Sequence, residues 1–251
     1  MSIEIRGLHK SFGEKHVLRG FSLTVEEGHT FSIIGYSGSG KSVTLKSILG
    51  LIRPDSGEVW VDGQNVHSLP RKELYALRRN VGYVFQFAAL FDSMTVGENV
   101  AMGLRRIKTM TDPEIRDRVS ESLRLVDLVG AEDRYPSELS GGMRKRAGLA
   151  RAIATEPKYL LYDEPTTGLD PVTTTTIDHL INRMAAELGV TALVVTHDMT
   201  SAYRISDRIA MLHEGSIRMV GTPDEIRATD DPVVQGFVEG RPNLALGVPQ
   251  T

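Results

Sequence analysis

Short apolar runs and alternating stretches follow one another along this chain, with helical periodicity between them. Ile3–Leu8 and Gly20–Val25 alternate apolar and polar positions as half-buried strands do, with Gly13 and Glu14 at the turn between them. Thr30–Ile34 is a short apolar strand that runs into a glycine- and serine-rich loop, and a helix is predicted from about Ser42 to Leu51. Gly57–Val61 reads as a strand broken at Asp62-Gly63, and Val81–Phe85 is apolar and rich in β-formers. From about 95 to 155 helical patterns dominate, with Pro136 as punctuation. Strands and helices then alternate again: a strand at Lys158–Tyr162, a helix over 173–188, a strand at Thr191–Thr196, a short helix, and a hairpin of Asp207–His213 with Ser216–Val220.

Alternating β and α units predict an α/β fold with a mostly parallel sheet covered by helices. The early strands predict an antiparallel β portion, and the stretch 95–155 an inserted helical subdomain. We expect one domain over residues 1–240 and a C-terminal tail over 241–251.

Composition narrows the function. The chain has 251 residues, 41% of them hydrophobic and 24% charged, and a net charge of −3, which does not mark a general polyanion binder. A nucleic-acid role is therefore not expected. There is no cysteine, which excludes disulfides, iron–sulfur clusters and thiolate metal sites, and the seven histidines have no metal-ligand spacing. The N-terminus lacks the apolar core of a signal peptide, and no run approaches the ~20 apolar residues of a membrane helix. A soluble, cytoplasmic protein is expected.

The chemistry starts in the loop after Thr30–Ile34. Gly35, Tyr36, Ser37, Gly38, Ser39, Gly40, Lys41 and Ser42 fit GxxxxGK[ST], with Val43 continuing into the helix. Glycines let backbone N–H groups converge on phosphate oxygens, and the helix directs its positive end at the same anion. Lys41 would meet the β- and γ-phosphates, and Ser42 would ligate Mg²⁺. Tyr159–Glu164 is a second apolar strand, and it ends in two carboxylates. Sheets of this class place their ligand at the carboxyl ends of the strands, so Asp163 suits magnesium and Glu164 the polarisation of an attacking water. His197 and Gln86 each follow another such strand. The imidazole is either structural or a donor to the γ-phosphate, and the Gln86 amide can touch the metal or the water.

Leu139-Ser140-Gly141-Gly142 opens a helix with Ser140 as its N-cap and two unobstructed glycine amides. This is either an ordinary capped helix or a second anion site. The latter is most useful in a symmetric dimer, where it would complete the nucleotide pocket of the other copy.

The full set of motifs resembles the ATPase subunit of ABC transporters over nearly the whole chain. That resemblance implies a P-loop NTPase fold with a RecA-like core, ATP and Mg²⁺ as cofactors, a homodimer, and transmembrane permease subunits as partners. It makes Gln86 the glutamine loop, Leu139–Met143 the signature, Thr167–Asp170 a dimer-contact loop and His197 the switch histidine. It also implies an aromatic ring stacked on adenine near the N-terminus, where Phe12 is the candidate, a buried core phenylalanine being the alternative. Met143 departs from the commoner glutamine of the signature. Tyr36 departs from a frequent proline, with little effect expected because the position contributes mainly backbone.

Three segments are more particular: Pro136–Ile153, Phe85–Phe91 and Asp231–Gly240. They are similar to the ATPases of bacterial phospholipid transporters, the Mla systems that work with Mce-domain lipid-binding proteins. This implies lipid movement between inner and outer membranes, powered from the cytoplasmic face of the inner membrane. An importer of small solutes is the alternative. A soluble ABC ATPase acting on ribosomes or DNA fits less well, for this chain has neither a second ATPase half nor a long coiled coil. A GTPase or small kinase would leave Ser140–Met143 unexplained. Phe87–Phe91 is either core or part of a groove for a permease helix. Val233, Val234, Phe237 and Val238 predict a short helix packed on its own domain, and Leu244, Leu246 and Val248 a tail lying on the partner subunit.

Overall fold

The computed structural model describes residues 2–107 and 109–241, so the tail carrying Leu244, Leu246 and Val248 lies outside the described residues. In chain order come β1 (Ser2–Phe12), β2 (Lys15–Glu26), β3 (Thr30–Ile34), α1 (Lys41–Ile48), β4 (Ser56–Val61), β5 (Gln64–Asn65), α2 (Arg71–Arg79) and β6 (Val81–Val84). The helices α3 (Val96–Leu104), α4 (Asp112–Leu125) and α5 (Gly141–Ile153) follow. The order ends with β7 (Tyr159–Asp163), α6 (Pro171–Leu188), β8 (Thr191–Thr196), α7 (Met199–Ile205), β9 (Arg208–His213), β10 (Ser216–Gly221), α8 (Pro223–Arg227) and α9 (Pro232–Val238). Two compact units divide the chain. One takes in the residues up to Leu77 and those from Thr191 onward; the other is Arg78–Val190.

The first unit holds an antiparallel sheet in the order β2-β1-β4-β5. In β2 the residues Phe21, Leu23 and Val25 point inward while Ser22 and Thr24 face out, the period-2 pattern of a sheet with one buried face. Where β1 slips register after Ile5, Gly57 of β4 takes φ +85°, and a Cβ there would lie 2.2 Å from the Gly7 carbonyl oxygen.

A second sheet in this unit sets β3 between β8 and β9, parallel to both, with β10 antiparallel on β9. Every residue of β3 and β8 is buried, as strands covered on both faces require. The entry of β3 is pinned by Asp207, whose carboxylate accepts from Thr30 N at 2.8 Å. Helices α7 and α9 close one face around Ile34, Ile209, Met211, Val233 and Val234, with Phe237 and Val238 packed alongside. Helix α9 is capped by Asp231, which accepts from Val233 N and Val234 N. The short C-terminal helix predicted from sequence therefore does pack within its own unit.

In the second unit, β6 and β7 pair in parallel from Val81–Tyr159 to Val84–Tyr162. Residues 95–155 hold three α-helices, a short 3-10 turn at Pro136–Glu138 and no strand among the described residues, as their pattern predicts. Thr95 with Glu98 and Thr111 with Glu114 form capping boxes that start α3 and α4. Asn99 is fully buried; its side chain takes the N–H of Phe91 and donates to the carbonyls of Phe91, Met94 and Thr95. That ring of bonds fastens the segment entering α3. Among the described residues no helix is long and apolar enough to cross a membrane.

Val234 has no exposed surface and sits at the centre of the cluster that α9 seals. Val234→Ala is expected to cost about 2 kcal/mol by leaving a cavity, a fall of roughly 4–8 °C in the thermal midpoint of a protein this size. An unchanged melting curve would show that α9 adds nothing to the core.

Candidate active site

Each strand end carries one part of the chemistry. In the first unit β3 stops at Ile34 and the chain turns outward at Gly35, where φ is +153° and a Cβ would fall 2.4 Å from the Leu212 carbonyl oxygen. No larger residue fits there without moving backbone. Gly38 and Gly40 also take positive φ, and a Cβ on Gly40 would crowd Leu18 at 2.8 Å. Ser39 N closes a turn on the Tyr36 carbonyl at 3.1 Å. Ser37 and Ser39 complete the loop, and α1 begins at Lys41 with Gly40 as an N-cap that offers no side-chain bond. Lys41 is buried and folds back, donating to the carbonyls of Gly35 at 2.7 Å and Tyr36 at 3.1 Å. Ser42 and Val43 lie in the first turn of α1. The result is a loop whose curvature is set by glycines, with a cation and helix amides at its mouth.

Two side chains of this loop region were not legible from the motif. The ring of Tyr36 packs edge-on against Phe237 of α9, centroids 4.9 Å apart, and against His213 at 6.5 Å. Its hydroxyl is buried without a hydrogen-bond partner among the described residues, and burial raises its pKa. Tyr36 thus contributes more than backbone. Lys15, at the tip of the β1–β2 hairpin, brings its ammonium to 3.8 Å from where a Cβ of Gly38 would stand, a second cation beside the loop. Across that hairpin from Lys15 is Phe12, 49% exposed with the Lys10 ammonium over its ring. Phe12 is therefore not a core residue.

The register Ile34–Thr196 makes Gly35 and His197 leave the sheet at the same level. His197 is exposed, and the next residue, Asp198, caps α7 by accepting from Thr200 N and Ser201 N.

The second unit repeats this logic. The register Val84–Tyr162 carries Phe85 and Gln86 out beside Asp163 and Glu164. Tyr83 donates to Asp163 Oδ2 at 2.8 Å, and burial together with that carboxylate raises the tyrosine pKa, so the hydroxyl stays a donor. Glu164 is buried and adopts φ +50°, a left-handed conformation uncommon outside glycine, which sharply changes the chain direction after Asp163. Thr167 Oγ1 donates to Glu164 Oε2 at 3.2 Å.

The third cluster of the prediction is also assembled within this unit. Ser140 caps α5 by accepting from Met143 N at 3.3 Å, leaving Gly141 and Gly142 in the first turn. Asp170 caps α6, accepting from Val172 N and Thr173 N, and the Thr173 hydroxyl holds its pKa down. Thr173 joins the two: its Cγ2 lies 2.5 Å from where a Cβ on Gly142 would be. Gly142 and Asp170 therefore share one surface.

Known proteins resemble this chain over most of its length. A protein-family model described as ABC transporter matches residues 18–167. The mkl protein of Mycobacterium leprae, described as a probable ribonucleotide transport ATP-binding protein, is 43% identical over 96% of this chain and 70% of its own length. The chloroplast protein TRIGALACTOSYLDIACYLGLYCEROL 3 of Arabidopsis thaliana is 43% identical over 95% of this chain and 73% of its own. Among solved structures, a dimeric ATP-binding cassette in a post-hydrolysis state with ADP and phosphate superposes with a TM-score of 0.81 at 34% identity, over 88% of this chain and 98% of that one. The structure of cbiO1 from Clostridium perfringens, described as part of an ABC transporter complex, gives 0.83 at 29% identity over 98% of both chains.

Gly142 tests the shared surface. Gly142→Ala should destabilise by about 1–3 kcal/mol through overpacking against Thr173 Cγ2. Adding Thr173→Ser, which removes that methyl and keeps the hydroxyl on Asp170, should restore most of the loss in thermal unfolding. Equal stability of all three proteins would show that α5 and α6 are not in contact there.

Proposed function

This chain belongs to the ABC transporter family as an ATP-binding, ATP-hydrolysing subunit, and from that premise we propose that it drives phospholipid movement between the inner and outer membranes. The observation that carries the lipid reading is the sequence of Pro136–Ile153, which with Phe85–Phe91 resembles the Mla ATPases. A relative named for a galactolipid, the Arabidopsis protein, supports it. The alternative, an importer of small solutes, is favoured by the match to the methionine import protein MetN of Carboxydothermus hydrogenoformans, 44% identical over 86% of this chain.

The roles follow from the side chains. Lys41 and the amides of Gly35–Ser42 take the phosphates, and Phe12 stacks on adenine. His197 donates to the γ-phosphate. Ser42, Gln86 and Asp163 offer only oxygen ligands, the donor set a hard cation such as Mg²⁺ prefers, and magnesium keeps several waters rather than demanding a protein cage. Mg²⁺ supplies charge neutralisation at the phosphates. Glu164 accepts the proton of the attacking water as its oxygen bonds to the γ-phosphorus, the bond to the β-phosphate oxygen breaks, and ADP leaves. Ser140, Gly141, Gly142 and Asp170 act on the nucleotide of a second copy in a homodimer, a reading supported by the dimeric cassette. Phe87 is 82% exposed and Phe91 53% exposed, which suits a contact with a permease at the cytoplasmic face.

Glu164→Gln should bind ATP with wild-type affinity and run as a dimer in its presence, while turnover falls about 10²–10⁴-fold. Lys41→Ala should instead lose ATP binding. Near-normal hydrolysis by the Glu164 variant would place the base elsewhere.

The lipid reading is tested by capturing the tagged chain from membranes of its own host. A permease and an Mce-domain protein are expected in the complex, and Leu90→Glu should release both without lowering ATP affinity. Capture of a solute-binding protein instead would establish the importer.

A further inference from the structure

Helix α5 turns two cations inward on one face. Lys145 is 8% exposed, and its ammonium donates to the backbone carbonyl of Gln86 and, at 3.4 Å, to that of Glu164. Arg151 donates through its two terminal nitrogens to the carbonyls of Ala89 at 2.6 Å and Ala88 at 2.7 Å, with its guanidinium over the Phe85 ring. Between them lies Gly148, where a Cβ would come within 3.3 Å of the Ala88 backbone. Lys145, Gly148 and Arg151 are spaced by three, so they share a helix face, and that face holds the backbone of residues 86–89.

The segments so held are unusual. Ala88 and Ala89 take φ +58° and +49°, and Glu164 takes +50°. Such conformations in residues with a Cβ persist only where their surroundings enforce them. An ammonium removed from water is a costly way to fill space, and burial pulls the Lys145 pKa down to about 8 although the Glu164 charge opposes the fall. An apolar side chain of similar length would occupy the same volume at lower cost, so packing alone does not account for lysine here.

We propose that Lys145 is a positioning residue for ATP hydrolysis: by holding the carbonyls of Gln86 and Glu164 to one point, it makes the glutamine loop and the catalytic base move together. This rests on the roles given above to Gln86 and Glu164. Pressure on the exposed rings of Phe87 and Phe91 would reach the base through the same ammonium. Lys145 would thus carry the presence of a docked partner to the chemistry without touching nucleotide.

The test uses the full-length chain and separates ATP affinity from turnover. Lys145→Met should bind ATP within about two-fold of wild type while kcat falls roughly 10–100-fold, the scale of a small misplacement of a catalytic group. Lys145→Gln, which keeps a shorter neutral donor, should have an intermediate kcat. Wild-type kcat in Lys145→Met overturns the proposal, and so does a loss of ATP affinity as large as the loss of kcat, which marks a residue that only supports the fold. If Lys145→Met does not fold, Lys145→Gln decides by the same two measurements. Glu164→Gln assayed alongside keeps the failures apart: turnover there would displace the base itself, whereas its expected inactivity with an unaffected Lys145→Met would remove only the coupling.

Discussion

Parallel strands buried on both faces leave chemistry only at their ends. Every residue of β3, β7 and β8 is buried, so the side chains left for chemistry stand at the last residue of a strand or beyond it. Hydrogen-bond register then decides which residues emerge together: Gly35 with His197 in one unit, Gln86 beside Asp163 and Glu164 in the other. The phosphate loop and Glu164 directly follow β3 and β7, Asp163 closes β7, and Gln86 stands two residues past β6. Their precision comes from the sheets, while the loops supply residue types and unusual backbone angles.

Helix starts supply a second kind of order. Ser140, Asp170 and Asp198 each spend their side chains on the first amides of a helix, and in doing so they fix where the neighbouring chemistry points. Gly40, in contrast, stands at the start of α1 with no side-chain cap. The difference is physical: a side-chain cap occupies some of a helix's first amides and fixes the direction in which the chain enters, and a glycine at the cap position does neither.

Much of this was legible in the sequence because it is local. Alternation in Val25–Phe21, the apolar run Thr30–Ile34, the loop Gly35–Ser42 and the acids after Tyr159–Tyr162 are patterns within ten residues, and each lies in the structure where its pattern predicts. Two helices were missed. Helix α2 is mostly charged and buries only Leu77, so its periodicity is faint, and α8 has a single buried residue, Ile226. The Tyr36–Phe237 contact and the reach of Lys145 to Gln86 and Glu164 were invisible for a different reason. They join residues distant in sequence, and only tertiary packing brings them together.

The contact between Tyr36 and Phe237 also has a meaning in time. On a ribosome the phosphate loop emerges long before α9, but β3 pairs with the distant β8 and β9, and the ring of Tyr36 rests on Phe237 of α9. Such distant pairings are slow to form, and an unpaired apolar strand is prone to aggregate meanwhile. The loop therefore acquires its final walls only when synthesis has reached α9. A nascent chain stalled before Phe237 holds the motif for nucleotide without the packing that walls it, so the finished loop reports that synthesis has passed α9.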